Sequence, residues 1–311
     1  MIPVLVLFGP TASGKTEFLA RLSDAGEWPG ETKPDILSPK KPIEIISADS
    51  MQVYRGLDIG TAKPSPQERS KIPHHLIDIR DPDEQFNAGD FVRLAEAACL
   101  EAAGRGALPV VSGGTGFYIK NLVQGLSGAP PSSREIRGAL KKELAGRGAA
   151  SLMEELAAAD PVSAGRIHIS DVYRLLRALE VWRLTGKPLS SFKAVTDTAF
   201  RFHLVGLRWP REELYRRING RTAAMFRAGL PGEVRRLFGA GYTPADPGLR
   251  AIGYREFFVQ DDGANGDNAS WRLSEDLAAV EALVAQNSRR YAKRQVTFFA
   301  SLPGVEWIEC E

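Results

Sequence analysis

The chain has 311 residues and a mass of 33.9 kDa, room for one large domain or for a core domain carrying an insertion. Its composition, 43% hydrophobic and 25% charged with 30 Gly and 20 Pro, is that of an ordinary folded protein and excludes collagen-like, coiled-coil and disordered readings. The net charge of +2 is unevenly spread: residues 1–128 hold 13 Lys and Arg against 16 Asp and Glu, residues 129–200 hold 11 against 8, and residues 201–311 hold 16 against 14.

The start, Met1 to Phe8, is too short and too uncharged at its front for a signal peptide, and its apolar burst Val4–Phe8 reads as a first β-strand. No run approaches the roughly 20 apolar residues of a membrane span. A helix over Thr16–Leu22, a strand over Ile43–Ser47, a helix over Phe91–Ala103 and a strand over Val110–Ser112 follow. Such alternation predicts an α/β fold, a parallel sheet with crossover helices. Residues 25–42, with four Pro, read as a long surface loop.

From Ser132 to Lys187 the bursts stop, and Leu and Ala recur at helical spacing in Ile136–Leu144, Leu152–Ala159 and Val172–Leu184, predicting a helical insertion. His203–Leu207 returns as a strand, and helices are expected over Glu212–Ala228, Pro231–Phe238 and Asp276–Leu302, with a loop at Asp261–Ser270. Residues 201–227 carry seven Arg against two Glu, a density that suits contact with a polyanion or a solvated helix face. Cys99 and Cys310 lie far apart with no CxxC spacing, so a reducing cytoplasm fits better than a disulfide scaffold or a cysteine zinc site.

The strongest local signal is Gly9-Pro10-Thr11-Ala12-Ser13-Gly14-Lys15-Thr16, which fits the phosphate-binding pattern G-x-x-x-x-G-K-[ST] between a strand and a helix. Glycine lets the backbone curl so that successive N–H groups point inward, the helix start adds partial positive charge, Lys15 reaches phosphate and Thr16 ligates Mg²⁺. No nucleotide-base motif of the NKxD kind accompanies it, so the loop alone leaves ATP or GTP hydrolysis open.

The strand Ile43–Ser47 delivers Asp49 to the crevice where α/β sheets bind ligands. Its residue type admits three roles there: a Mg²⁺-holding carboxylate, a general base or a helix cap. Val110–Ser112 opens through Gly113-Gly114-Thr115 into another helix, and Thr115 is either a hydroxyl donor in the crevice or an N-cap.

Seven ordered motifs then carry a resemblance over almost the whole chain: GPTASGKT at 9–16, DSMQVYRGLDIGTAKP at 49–64, PHHLID at 73–78, GGTGFYIKNL at 113–122, RLLRALEVWRLTGKPLS at 174–190, LRAIGYREF at 249–257 and YAKRQVTFF at 291–299. Together they resemble the tRNA dimethylallyltransferase (tRNA isopentenyltransferase) family. The resemblance implies a P-loop NTPase-like parallel sheet flanked by helices, formed by 1–128 and 196–311, with an inserted all-helical subdomain at 129–195 that contacts tRNA. It implies transfer of a dimethylallyl group from its diphosphate to N6 of adenosine 37 in tRNAs reading codons that begin with U. The phosphate loop would then clamp a leaving pyrophosphate with the help of Mg²⁺.

By the same resemblance Asp49 is the catalytic base, Thr115 helps hold the transferring group and Arg217 lies near the diphosphate, with Arg216 and Arg221 close enough in sequence to take its place. Asp49, Ser50, Met51 and Gln52 border a flipped adenosine. Arg137, Tyr173, Arg174, Arg177 and the stretch Arg250 to Arg255, with Gly253 and Tyr254, contact the anticodon arm, although Arg174 and Arg177 also fit an i,i+3 pair of surface charges. The chain departs from the family at His168-Ile169-Ser170-Asp171, where His-Pro-Asn-Asp is usual, at Asn121, and in the length of the 25–42 loop. A zinc finger found in eukaryotic relatives is absent, which points to a bacterial cytoplasmic form, and a monomer is expected. A prenyltransferase acting on free AMP would keep the phosphate loop and Asp49 but would have no use for the basic insertion.

Overall fold

The structure, a computed structural model, describes residues 1–28, 34–37, 41–195, 199–260 and 270–311. Much of the 25–42 loop, and nearly all of the loop expected at Asp261–Ser270, therefore lie outside the described residues. In chain order the elements are β1 (Ile2–Phe8), α1 (Lys15–Ala25), β2 (Ile43–Ser47), α2 (Pro66–Lys71), β3 (His74–His75), α3 (Ala88–Gly104), β4 (Leu108–Gly113), α4 (Gly116–Gln124), β5 (Leu126–Ser127), α5 (Arg134–Ala159), α6 (Pro161–Ala164) and α7 (Val172–Thr185). The chain continues with β6 (Ala194–Val195), β7 (Phe200–Arg208), α8 (Arg211–Arg227), α9 (Leu230–Gly239), β8 (Phe258–Gln260), β9 (Trp271–Leu273), α10 (Leu277–Phe299) and β10 (Val305–Glu309). None of the described helices is long and apolar enough to cross a membrane.

Two compact units result, Met1–Val123 with Ala199–Glu311, and Gln124–Thr198. The first is built on a six-stranded sheet in the order β10-β7-β1-β4-β2-β3, and every pairing in it is parallel. Its central strands read as unbroken apolar runs because helices cover both faces; Val4, Leu5, Val6, Leu7 and Phe8 are all fully buried. Because β4 stands between β1 and β2, the turns leaving β1, β2 and β4 emerge side by side at one edge, the position where doubly wound sheets hold ligands.

Two strands of this sheet have no forerunner in the sequence pattern. β3 has only two residues, and β10 follows α10, which stops at Phe299 rather than reaching Leu302. β10 is an edge strand held by β7, from Val305 opposite Leu204 to Glu309 opposite Arg208.

The second unit packs α5 and α7 through Leu140, Leu152, Leu156, Leu175, Leu176 and Leu179. α5 takes up the two expected helices as one span, with non-helical backbone at Gly148. β5 and β6 form a two-residue antiparallel ladder, too short to leave a period-2 pattern. Asp171 caps α7 by accepting from the Arg174 N–H at 3.2 Å, so the altered His168–Asp171 stretch keeps its cap.

Candidate active site

From the buried end of β1 the chain curls through Gly9 to Gly14 into α1. Gly14 caps that helix at φ 82°, a left-handed conformation that glycine adopts without steric cost. Ala12 takes φ 64°, which costs an L-residue with a side chain roughly 1–2 kcal/mol. Two neighbours hold this strained turn: Arg217 Nε donates to the Ala12 carbonyl at 2.9 Å, and the indole Nε1 of Trp209 donates to the Ser13 carbonyl at 3.0 Å. The Arg217 guanidinium in turn lies 4.1 Å from the centroid of the Trp209 ring.

Lys15 Nζ folds back onto the loop, donating to the Gly9 and Pro10 carbonyls at 2.9 and 3.0 Å and to Ser13 Oγ at 3.3 Å. Burial, with Arg221 adding to the effect and Asp49 opposing it, brings its pKa down to about 7. Thr16, in the first turn of α1, is exposed and lines the cleft described below. The described residues hold no group of three His, Cys, Asp or Glu side chains able to bind a metal. A Mg²⁺ site here would rest on the Thr16 hydroxyl with diphosphate and water oxygens, a donor set that suits this hard cation.

β2 hands over to Asp49 at the neighbouring turn. Asp49 Oδ1 accepts from the Met51 and Gln52 N–H groups at 2.8 and 3.3 Å, closing a turn rather than capping a helix. Its Oδ2 accepts no hydrogen bond among the described residues. The Thr115 hydroxyl accepts from the Ser50 N–H at 3.0 Å and donates to Ser50 Oγ at 3.2 Å, so it steadies the Asp49 turn from β4 instead of capping α4. The two turns approach so closely that a Cβ on Gly113 would stand 2.1 Å from the Ala48 carbonyl oxygen.

Both turns border a cleft of about 710 Å³ whose lining includes Thr11 to Thr16, Asp49 to Gln52, Gly60 to Ala62, Arg217, Arg221, Arg250, Gly253, Arg255, Tyr291 and Gln295. The wall at Gly60 to Ala62 is fixed from behind. The buried Glu233 carboxylate accepts from Ile59 N–H at 2.9 Å and from the Tyr254 hydroxyl at 2.6 Å, and that hydroxyl accepts from Gly60 N–H at 3.1 Å. Gln52 Nε2 adds bonds to the carbonyls of Thr61 and Ala62.

Of the lining residues, Arg221 enters the sequence reading only as a neighbour able to stand in for Arg217, and Tyr291 and Gln295 carry no signal there. Arg221 lines the cleft, donates to the Thr61 carbonyl at 3.5 Å and pairs with no carboxylate among the described residues. Burial lowers its pKa, and Asp49 counters that. Burial first, then the Asp49 charge, push the Tyr291 phenol up to about 12. Gln295 accepts from Thr11 N–H at 2.9 Å and donates to the Gly114 carbonyl at 2.7 Å, tying α10 to two of the turns. Tyr291 and Gln295 fall inside the YAKRQVTFF motif.

Of the residues expected at RNA, Tyr254 is fully buried, its hydroxyl serving Glu233 and Gly60. Arg250 and Arg255 do reach the cleft, although Arg255 also pairs with Glu256 at 3.1 Å. In the second unit, Arg137 and Arg177 turn inward to the fully buried Glu180, at 3.1 and 3.0 Å. Tyr173 and Arg174 remain the outward pair, Tyr173 71% exposed and the Arg174 side chain 72% exposed; Tyr173 also carries the Arg137 guanidinium over its ring at 4.5 Å.

Comparison with known proteins adds an independent line. Residues 52–302 match the sequence model of the family described as IPP transferase. A protein named tRNA dimethylallyltransferase from Geobacter sulfurreducens is 41% identical over 309 residues, covering 98% of this chain and 91% of the relative. The crystal structure of a tRNA isopentenylpyrophosphate transferase from Bacillus halodurans superposes with a TM-score of 0.64 at 34% identity, over 99% of this chain and 90% of that one. A eukaryotic dimethylallyltransferase described as acting on tRNA gives a TM-score of 0.77 at 24% identity, over 99% of this chain and 74% of the other, a likeness of fold alone.

Proposed function

Because this chain belongs to the IPP transferase family, we propose that it transfers a dimethylallyl group from dimethylallyl diphosphate to N6 of adenosine 37 in tRNAs reading codons that begin with U, giving N6-(dimethylallyl)adenosine. The observation that carries this reading is the meeting of a phosphate loop and the Asp49 carboxylate on one cleft.

In the proposed reaction the bond between N6 and the terminal allylic carbon forms as the carbon–oxygen bond to the diphosphate breaks, and the electron pair leaves on the diphosphate. Lys15, Arg217 and the loop N–H groups of Ala12 and Gly14 stabilise that growing charge. Mg²⁺ on Thr16 would supply further positive charge to the diphosphate when bound.

The adenine N6 amine is a weak nucleophile because its lone pair is delocalised into the ring, so removal of its proton during attack helps. Asp49 Oδ2 takes that proton, while Oδ1 keeps the carboxylate oriented through the Met51 and Gln52 amides. General-base assistance of this kind is worth roughly 10²–10⁴ in rate. Thr115 acts by holding the Asp49–Ser50 turn.

The base must leave its stack to reach Asp49, which costs least in a single-stranded loop. Ser50, Met51, Gln52 and Gly253 border the extruded adenosine in this reading. Arg250 and Arg255 in the first unit supply phosphate contacts; in the second unit Tyr173 and Arg174 supply stacking and phosphate contacts, supported there by Arg137 and Arg177.

Incubating the protein with dimethylallyl diphosphate, Mg²⁺ and either tRNA or AMP, followed by mass spectrometry, tests the proposal. A five-carbon addition to tRNA but not to AMP is expected. Ready cleavage of ATP with tRNA left unaltered would refute it.

A further inference from the structure

Trp209 sits where β7 passes into α8, and its side chain makes two contacts with the phosphate-binding apparatus at once. The indole N–H donates to the Ser13 carbonyl at 3.0 Å, and the ring face lies 4.1 Å from the Arg217 guanidinium carbon. Arg217 spends Nε on the next carbonyl along the loop, that of Ala12. Its terminal nitrogens point toward the cradle: a Cβ on Gly14 would stand 3.4 Å from Nη2. The acid nearest in sequence, Glu213, is occupied by Arg216 at 2.6 Å, so Arg217 keeps its charge for the cleft.

The consequence is mechanical. A phosphate loop works by aiming amide N–H groups at an anion, which requires its carbonyls to be turned the other way. Here the carbonyls of Ala12 and Ser13 are the two held from outside, one of them on a residue with left-handed backbone at φ 64°. We propose that Trp209 is a positioning residue for the diphosphate: its indole and its ring face together fix Arg217 and the Ala12–Ser13 peptides in the arrangement that receives the anion before it arrives. This rests on the diphosphate-transfer reading given above, which makes no use of Trp209.

The test measures inorganic pyrophosphate binding with Mg²⁺ by calorimetry, in the full-length chain and in Trp209→Phe, Trp209→Leu, Arg217→Ala and Trp209→Leu/Arg217→Ala. A desolvated cation–π contact corresponds to about a 3- to 30-fold effect, so Trp209→Leu is expected to weaken binding about tenfold. Trp209→Phe keeps a ring face and loses only the N–H bond, so it should recover much of that loss. The Leu substitution should cost markedly less in the Arg217→Ala background. In steady-state assays the KM for the prenyl donor rises while the KM for tRNA stays unchanged, a split that a general loss of folding would not produce. Equal losses from Trp209→Leu in both backgrounds, or a wild-type pyrophosphate affinity in Trp209→Leu, would overturn the inference while leaving the proposed function standing. Failure of the unmodified chain to bind pyrophosphate would overturn both.

Discussion

Asp49→Asn separates two jobs that the structure assigns to two oxygens of one side chain. Oδ1 orders the turn through bonds of 2.8 and 3.3 Å to the Met51 and Gln52 amides, and an asparagine carbonyl oxygen can accept both. Losing the charge weakens such bonds by about half, which puts the loss of turn stability at no more than about 1 kcal/mol. Oδ2, the proposed proton acceptor, is replaced by an NH₂ group that cannot accept. The chemical step should therefore slow by roughly 10²–10⁴, equivalent to about 2.7–5.5 kcal/mol in the barrier. Single-turnover reactions with excess enzyme on an anticodon stem-loop, quantified by mass spectrometry, isolate that step from product release. Thermal melting and tRNA binding serve as controls and should change little. Asp49→Ala removes both functions and should melt lower than Asp49→Asn as well as react slowly. A single-turnover rate for Asp49→Asn within about threefold of the parent would refute the assignment, because no general base could be removed so cheaply.

Other outcomes follow from named contacts. Arg174→Ala, which removes a side chain 72% exposed, should reduce the salt slope of tRNA binding by about 0.7–1 without moving the melting temperature. Arg177→Ala, which strips a partner from the fully buried Glu180, should instead destabilise by about 1–3 kcal/mol; titration and melting of the two variants check this, and the reverse pattern would refute it. Gly60→Ala would put a Cβ 2.4 Å from the Tyr254 ring, and a loss of about 1–3 kcal/mol is expected in chemical denaturation, against which an unchanged midpoint would count. On β2 the Arg105 hydrogen bonds foremost, with His75 assisting and burial opposing, hold the Glu44 carboxyl at about 2 rather than 4.5. A carboxyl depressed in the folded state adds stability that is complete above its unfolded value and is lost as pH falls toward its folded one. Arg105→Ala should therefore cost about 1 kcal/mol at pH 7 and converge with the parent near pH 2; urea melts across that range check it, and a gap independent of pH would refute it.

What the sequence reveals and what it hides follow one physical line. The phosphate loop and Asp49 are legible because their geometry is set within a few residues by glycine and by a strand end. The central strands are legible because burial on both faces demands apolar runs. β3 has two residues, and β10 is an edge strand whose pairing with β7 is set by distant chain, so neither leaves a pattern that stands out. Trp209 meets Ser13 across 196 positions and Gln295 meets Thr11 across 284, contacts that no local periodicity encodes. Tyr254 shows the opposite case: the resemblance places it among residues expected at RNA, yet the Glu233 carboxylate and the absent side chain of Gly60 draw it inward.

The folded-back Lys15 has a bearing on how strongly any anion can be held. Its ammonium already has three acceptors in the loop, the Gly9 and Pro10 carbonyls and Ser13 Oγ. A ligand that recruits it must trade against that internal set, so the net gain is the difference between two well-satisfied states rather than the full strength of a new ion pair. Such a latch keeps the cradle shaped and limits how tightly it can grip any anion it receives.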